Sequence, residues 1–143
     1  MQIPPPKRIF VDTQGWAEVM HALALHHVEA TEILRQAQAN SWEVVTSNMV
    51  LSELVPLLRS RNFRLTQPQI LNIITHIRAV PNLTVLYVDP VLDQQAWGLL
   101  YTNPQQPWSH VDATSMLLMR REVIDEILTA DKHFSQAGFT VLL

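Results

Sequence analysis

The chain has 143 residues, 48% hydrophobic and 16% charged, with 13 Asp+Glu against 10 Lys+Arg (formal net charge -3) and no Cys. This length suits one domain, residues 1–143, with a core of its own, and the composition excludes a disordered tail or a coiled coil. Without Cys there is no disulfide scaffold, thiol nucleophile, zinc ribbon or iron–sulfur cluster. Net negative charge gives no general attraction to nucleic acid or an anionic membrane, so a polyanionic partner must be met through local positive charge or a metal.

The opening MQIPPPKRIF has no apolar signal-peptide core, and three consecutive prolines make residues 1–7 a stiff extended leader. No apolar run approaches the ~20 residues of a membrane-spanning helix, so the expected location is the cytoplasm. Arg8-Ile9-Phe10-Val11-Asp12 reads as a short buried strand that ends in a carboxylate. Trp16, Val19, Met20 and Leu23 recur at helical spacing, as do Ala30, Ile33, Leu34 and Ala37. Trp42 to Thr46 is a strand, after which Ser47 caps a helix with Val50, Leu51, Leu54, Leu57 and Leu58 inward. Pro56 falls inside that helix and predicts a kink, because it removes a backbone donor. Thr66 and Gln69 form a capping-box pattern for a helix buried through Ile70, Ile73, Ile74 and Ile77. Thr84 to Val88 predicts a strand, and Asp89-Pro90 opens a helix whose buried face includes Trp97 and Leu100. A proline-containing loop from Asn103 to Trp108 leads to a capped helix from Ser109 to Arg121. A strand from Glu126 to Thr129, a helix from Asp131 to Ala137 closed by Gly138, and a strand from Thr140 to Leu143 complete the chain.

Strands alternating with helices predict an α/β domain with a mainly parallel sheet, which binds ligands outside the carboxyl ends of its strands. Asp12, Glu53, Asp112 and Asp131 all fall on that rim or in the early helical turns beside it. Taken singly, Asp89, Asp112 and Asp131 read as helix caps and Glu53 as a solvated helical residue. Asp12 differs, because an acid closing a buried strand needs a partner. Together the four repel one another, and their pKa values rise unless positive charge joins them. A helix N-terminus supplies only ~0.3–1 kcal/mol toward that. A hard divalent cation such as Mg²⁺ or Mn²⁺ suits the oxygen-rich set better, and such ions serve phosphodiester cleavage by activating water and stabilising the leaving oxygen.

Four short motifs occur in order. They are Ile9-Phe10-Val11-Asp12-Thr13; Thr46-Ser47-Asn48 leading to Ser52-Glu53-Leu54; Ser109-His110-Val111-Asp112-Ala113; and Thr129-Ala130-Asp131-Lys132-His133-Phe134. His27 and Ala30 match a loose His-x-x-Ala element between the first two. In this order the chain resembles the PIN-domain family, and more narrowly its VapC-type ribonuclease toxins, from the first strand to the last. The resemblance implies a five-stranded, mainly parallel sheet flanked by helices. It implies an acidic pocket for Mg²⁺ or Mn²⁺ built from Asp12, Glu53, Asp112 and Asp131, with a supporting hydroxyl at Thr129 and a polar residue at Asn48. It further implies hydrolysis of RNA to 5′-phosphate and 3′-hydroxyl ends, a homodimer, and a cognate antitoxin whose tail lies across the acidic site, as in a type II toxin–antitoxin pair. Gln14-Gly15-Trp16 departs from the family pattern, where a small hydroxyl residue and an aliphatic are commoner, so the first loop is expected to have its own shape.

Two other readings stand beside this one. A response-regulator-like receiver domain also ends strands in aspartate, as Asp89 does, but Asp12 lacks the adjacent acid a receiver places there. A catalytically silent PIN-fold interaction module is the other, and four intact acids speak against it. His21, His26, His27 and His76 lack metal-ligand spacing, while His110 and His133 lie beside the proposed acids and either touch a phosphate or, the favoured reading, face solvent from first helical turns. Ser109, His110 and Asp112 are too contiguous for a catalytic relay, and three glycines build no P-loop or dinucleotide motif. Arg59, Arg61 and Arg64 cluster after the third helix and suit either an RNA backbone, an antitoxin or solvent. Arg120, Arg121 and Lys132 are further candidates for phosphate contact, with solvent as the other reading. Trp108 either stacks an unpaired base or packs on the domain, and Trp16, Trp42 and Trp97 read as core.

Overall fold

The computed structural model describes residues 3–143, so the first two residues of the expected leader lie outside it. The elements run β1 (Arg8–Val11), α1 (Thr13–Met20), α2 (His27–Ala39), β2 (Glu43–Ser47), α3 (Asn48–Arg59), α4 (Gln67–Arg78) and β3 (Leu83–Leu86). They continue through α5 (Pro90–Thr102), α6 (His110–Glu122), β4 (Glu126–Leu128), α7 (His133–Gln136) and β5 (Thr140–Val141). The sheet order is β3-β2-β1-β4-β5, and every pairing is parallel.

β1 is the central strand, and its Ile9, Phe10 and Val11 are fully buried. A strand covered on both faces needs an unbroken apolar run, which Ile-Phe-Val supplies. Val44 and Val45 of β2, Trp16 of α1, Leu54 of α3, Met116 of α6 and Phe134 of α7 close the core around it. From β1 the chain builds outward to β2 and β3 on one side, then returns to lay β4 and β5 on the other. The order therefore reverses between β1 and β4, and the crevice at such a switch point opens at the carboxyl ends of the strands. Asp12 follows β1 there, and Thr129 follows β4.

Several local readings change, among them the first helix, which stops at Met20 and leaves Leu23 exposed, and the last strand, which ends at Val141 rather than Leu143. α3 runs unbroken through Pro56. Pro56 and Ser52, one turn earlier, are both exposed, so the carbonyl deprived of its donor faces water and the helix needs no break. β3 ends at Leu86 rather than Val88, because its ladder with β2 stops at Ser47, where α3 begins; the Val88 N–H is taken instead by the Asn48 side chain at 2.9 Å. The last helix is a single turn from His133 to Gln136, leaving Asp131 in the loop before it. Trp97 is not core: it is 46% exposed on the outer face of α5 and stacks on His110 with ring centroids 4.3 Å apart.

Candidate active site

Asp12 caps α1, its Oδ1 accepting the Gly15 N–H at 2.8 Å. Gly15 lies so close to β4 that a Cβ there would stand 2.0 Å from the Leu128 carbonyl oxygen. Glycine is thus the residue that lets α1 begin against the next strand. Trp16 is fully buried. Its indole N–H donates to Thr46 Oγ1 at 3.0 Å, and the Thr46 hydroxyl donates to the Val11 carbonyl at 2.8 Å. The unusual Gln14-Gly15-Trp16, expected to shape a loop, instead builds a tightly held first turn of α1. The carboxyl it positions is only 5% exposed. Burial pushes the Asp12 pKa up to about 8, assisted by the charges of Asp112 and Asp131 and opposed by hydrogen bonds from Gly15 and Thr129.

Asp112 sits in the first turn of α6, where it closes a capping box: Ser109 N–H donates to Asp112 Oδ2 at 3.1 Å and Asp112 N–H to Ser109 Oγ at 3.0 Å. Its capping role is real, yet the same carboxylate faces Asp131 and His133. Asp131 is held by its own N–H, which donates to Thr129 Oγ1 at 3.0 Å, and by the His133 N–H, which donates to its Oδ1 at 2.9 Å. Thr129 is fully buried and bridges the strand ends, since it also hydrogen-bonds Asp12. His133 Nδ1 lies 3.1 Å from Asp131 Oδ1 and 3.4 Å from Asp112 Oδ2. One ligand atom each from Asp112, Asp131 and His133 falls within 4.8 Å of the others. Burial holds Asp112 above the usual carboxylate range, with the Asp131 charge adding to the rise and Ser109 and His133 opposing it.

Glu53 projects from α3, and its Oε1 accepts the Thr13 hydroxyl at 2.7 Å. Burial raises its pKa, and the charges of Asp112 and Asp131 raise it further. Asp12 and Glu53 therefore share the field of the other two acids without joining the tight Asp112–Asp131–His133 group. An open cleft of about 210 Å³, lined by Gln14, Ala130 and Asp131, leads to this rim. Oxygen-rich donors, one imidazole, partial access to solvent and carboxylates destabilised by one another together fit a hard divalent cation.

For His133 the favoured solvent-facing reading gives way: the loop after β4 turns its ring onto the two aspartates beside it. The signal was its place two residues after Asp131 in the same motif. Thr13 went unassigned, and its hydroxyl orients Glu53. His110 points away from the acids toward Trp97, with Nε2 3.0 Å from Asp93 Oδ1. Trp108 is half-buried against the core with its ring nitrogen out of solvent, so the packed reading holds over the displayed one. Among the described residues no other histidine joins a potential metal-binding group.

No protein-family profile matches the chain. It is 34% identical over 131 residues to the 23S rRNA-specific endonuclease VapC20 of Mycobacterium tuberculosis, covering 92% of this chain and 95% of the relative, in both strain CDC 1551 / Oshkosh and strain ATCC 25618 / H37Rv. The chain belongs to the VapC-type PIN-domain toxin ribonucleases. The crystal structure of VapC20, described as a sarcin-ricin loop cleaving toxin, matches with a TM-score of 0.76 and 34% identity over 92% of this chain and 96% of that one. PAE2754 from Pyrobaculum aerophilum shares the fold at 13% identity, with a TM-score of 0.59 over 96% of this chain and 92% of that one. Membership of the VapC-type enzymes makes this protein an RNA endonuclease and displaces the receiver reading. Asp89 instead caps α5, its Oδ1 accepting the Leu92 N–H at 2.8 Å.

Proposed function

We propose that this VapC-type protein is a Mg²⁺- or Mn²⁺-dependent endoribonuclease whose site comprises Asp12, Glu53, Asp112 and Asp131, with Thr129 and His133 in support. Its proposed substrate is ribosomal RNA of the sarcin-ricin type, the RNA that its relative VapC20 is named for. One observation carries the metal requirement: among the described residues none of these four acids is paired with a Lys or Arg, although three of them are held above their ordinary pKa.

Asp112 and Asp131, with His133 beside them, would hold the cation, and Asp12 completes its negative surroundings. A divalent ion bound there supplies Lewis-acid stabilisation of phosphate oxygens and makes a coordinated water acidic near neutral pH. The chain's own groups do the rest. Gly15 N–H and the Thr129 hydroxyl keep the Asp12 carboxyl in one orientation. His133 Nδ1, between two carboxylates, keeps Asp112 and Asp131 facing each other. Glu53 has one oxygen fixed by Thr13 and a raised pKa, so its second oxygen is suited to take the proton of the attacking water. Hydrolysis adds the water oxygen to phosphorus, breaks the P–O3′ bond and places a proton on the departing oxygen, giving 5′-phosphate and 3′-hydroxyl ends.

A cognate antitoxin and a second copy of this chain are its proposed protein partners, and the cytoplasm its proposed location. Val91, Trp97 and Tyr101, exposed on the outer face of α5, offer apolar surface for the second copy; no described helix is long and apolar enough to cross a membrane. The deciding experiment incubates the protein with a 23S rRNA fragment containing the sarcin-ricin loop, alongside tRNA, in Mg²⁺, Mn²⁺ or chelator. Cleavage of the ribosomal fragment should require the cation and disappear in Asp12→Asn. Equal cleavage in chelator and by the variant would overturn the reading.

A further inference from the structure

An RNA backbone approaching this site meets four carboxylates on a chain of net charge -3, and proteins that bind nucleic acid draw most of their affinity from cations placed on phosphates. The positive charge is not spread evenly. Residues 54–88 contain Arg59, Arg61, Arg64 and Arg78 and no Asp or Glu, so all 13 acids share the rest of the chain with the other six Lys and Arg.

Three of these arginines occupy one tight turn. Arg59 ends α3, and the Phe63 and Arg64 N–H groups both donate to the Ser60 carbonyl, at 3.1 and 2.7 Å. Arg64 takes the left-handed backbone conformation at φ 54, uncommon for a residue with a side chain, so the turn has a fixed shape. All three side chains are exposed. Their recorded contacts are to neutral oxygens: Arg59 donates to the Gln67 side chain, and Arg64 Nε to the Arg61 carbonyl at 3.2 Å. Lys7, Arg8, Arg35 and Arg121, by contrast, are each within 3.3 Å of a glutamate.

The turn also has a defined relation to the site. Asp12 caps α1, and Thr13 on that helix holds Glu53 midway along α3, so α1 starts at the acids and α3 passes them. Both lead to the turn, where the Phe63 ring packs edge-on against His21, just beyond α1, at 5.1 Å. From Glu53 to Arg59 is six residues of helix, about 9 Å. We propose that the Arg59–Arg61–Arg64 turn is a docking site for the RNA phosphate backbone, seating the strand that flanks the scissile bond and offsetting the repulsion of the acidic pocket. This inference rests on the ribonuclease reading and adds the surface that holds its substrate.

The test measures affinity for a ribosomal RNA hairpin of the sarcin-ricin type in chelator, where cleavage is not the readout, across a range of salt. Four proteins are compared: the parent; Arg59→Gln/Arg61→Gln/Arg64→Asn; Arg61→Gln/Arg64→Asn, which spares the Arg59–Gln67 contact; and Arg120→Gln/Arg121→Gln as a control at the far end of α6. Loss of three phosphate contacts should weaken binding about 100-fold at 0.1 M salt and make the log–log salt slope shallower by about 2, with the double variant intermediate and the control near the parent. The inference is overturned if the triple variant keeps the parent's affinity and slope, which would assign the turn to a protein partner or to solvent, or if the control loses as much. Cleavage assayed separately with Mn²⁺ decides the ribonuclease reading without affecting this comparison.

Discussion

At the N-terminal ends of the central strands, three glutamates meet a cation: Arg8 reaches Glu43 at 2.7 Å and Glu122 at 3.2 Å, and Lys7 reaches Glu126 at 3.1 Å. At the C-terminal ends of the same strands, Asp12, Asp112 and Asp131 face one another with a single imidazole among them. The larger hollow, about 490 Å³, lies at the paired end, against about 210 Å³ at the acidic end. Volume and charge balance therefore point to opposite ends, and the proposed site lies at the end where charge is unbalanced. Paired acids hold strand starts together, whereas unpaired acids retained at an energetic cost mark where a cation and a phosphate are expected.

The sharpest way to break that contrast is Asp12→Asn, which keeps the side-chain volume and removes a charge. RNA cleavage should fall by at least about 100-fold while circular dichroism stays that of the parent; retained cleavage would show that the acid end is no different from the other. Next comes Gly15→Ala. Its Cβ would sit 2.0 Å from the Leu128 carbonyl oxygen, so α1 and β4 must separate, with an expected loss of about 3–5 kcal/mol in urea unfolding.

Arg8→Leu addresses the paired end. It leaves Glu43 and Glu122 half-buried without their cation, at a cost of about 2 kcal/mol after allowance for solvent screening. Cleavage at saturating RNA should not change, and a matching drop in turnover would mean that the two ends are coupled. The last prediction is a pH dependence, gradual because it is spread over several pH units. The Asp12 carboxyl, at about 8 in the folded chain against ~3.9 unfolded, binds its proton more tightly when folded. Stability without metal should be greatest below the unfolded value, decline by up to about 1.4 kcal/mol per pH unit as pH rises from about 4 to about 8, and then level off. Asp12→Asn should flatten the decline, and added Mn²⁺ should offset it. A level urea midpoint between pH 5 and pH 8 in chelator would contradict the burial that distinguishes Asp12.

Much of the fold was legible because its signals are local. Ile9-Phe10-Val11 needs no neighbour to read as a buried strand, and Ser47, Thr66, Asp89 and Ser109 each cap the helix they introduce. Misreadings came where a distant partner decided the outcome. β3 stops early because β2 turns into a helix, Trp97 faces outward because Leu92 and Ala96 take the inner side of α5, and Pro56 is tolerated because its side of α3 meets water.

For the site, the sequence by itself determined which acids stand on one rim, since a parallel α/β chain places every strand's carboxyl end on the same side. Only the tertiary structure decided that Asp112, Asp131 and His133 meet within a few ångströms while Thr13 takes an oxygen of Glu53. Helix caps and apolar periods act over a few neighbouring residues. The direction of a side chain at a strand end instead depends on the register and approach of elements far away in the chain, as Gly15 against Leu128 shows.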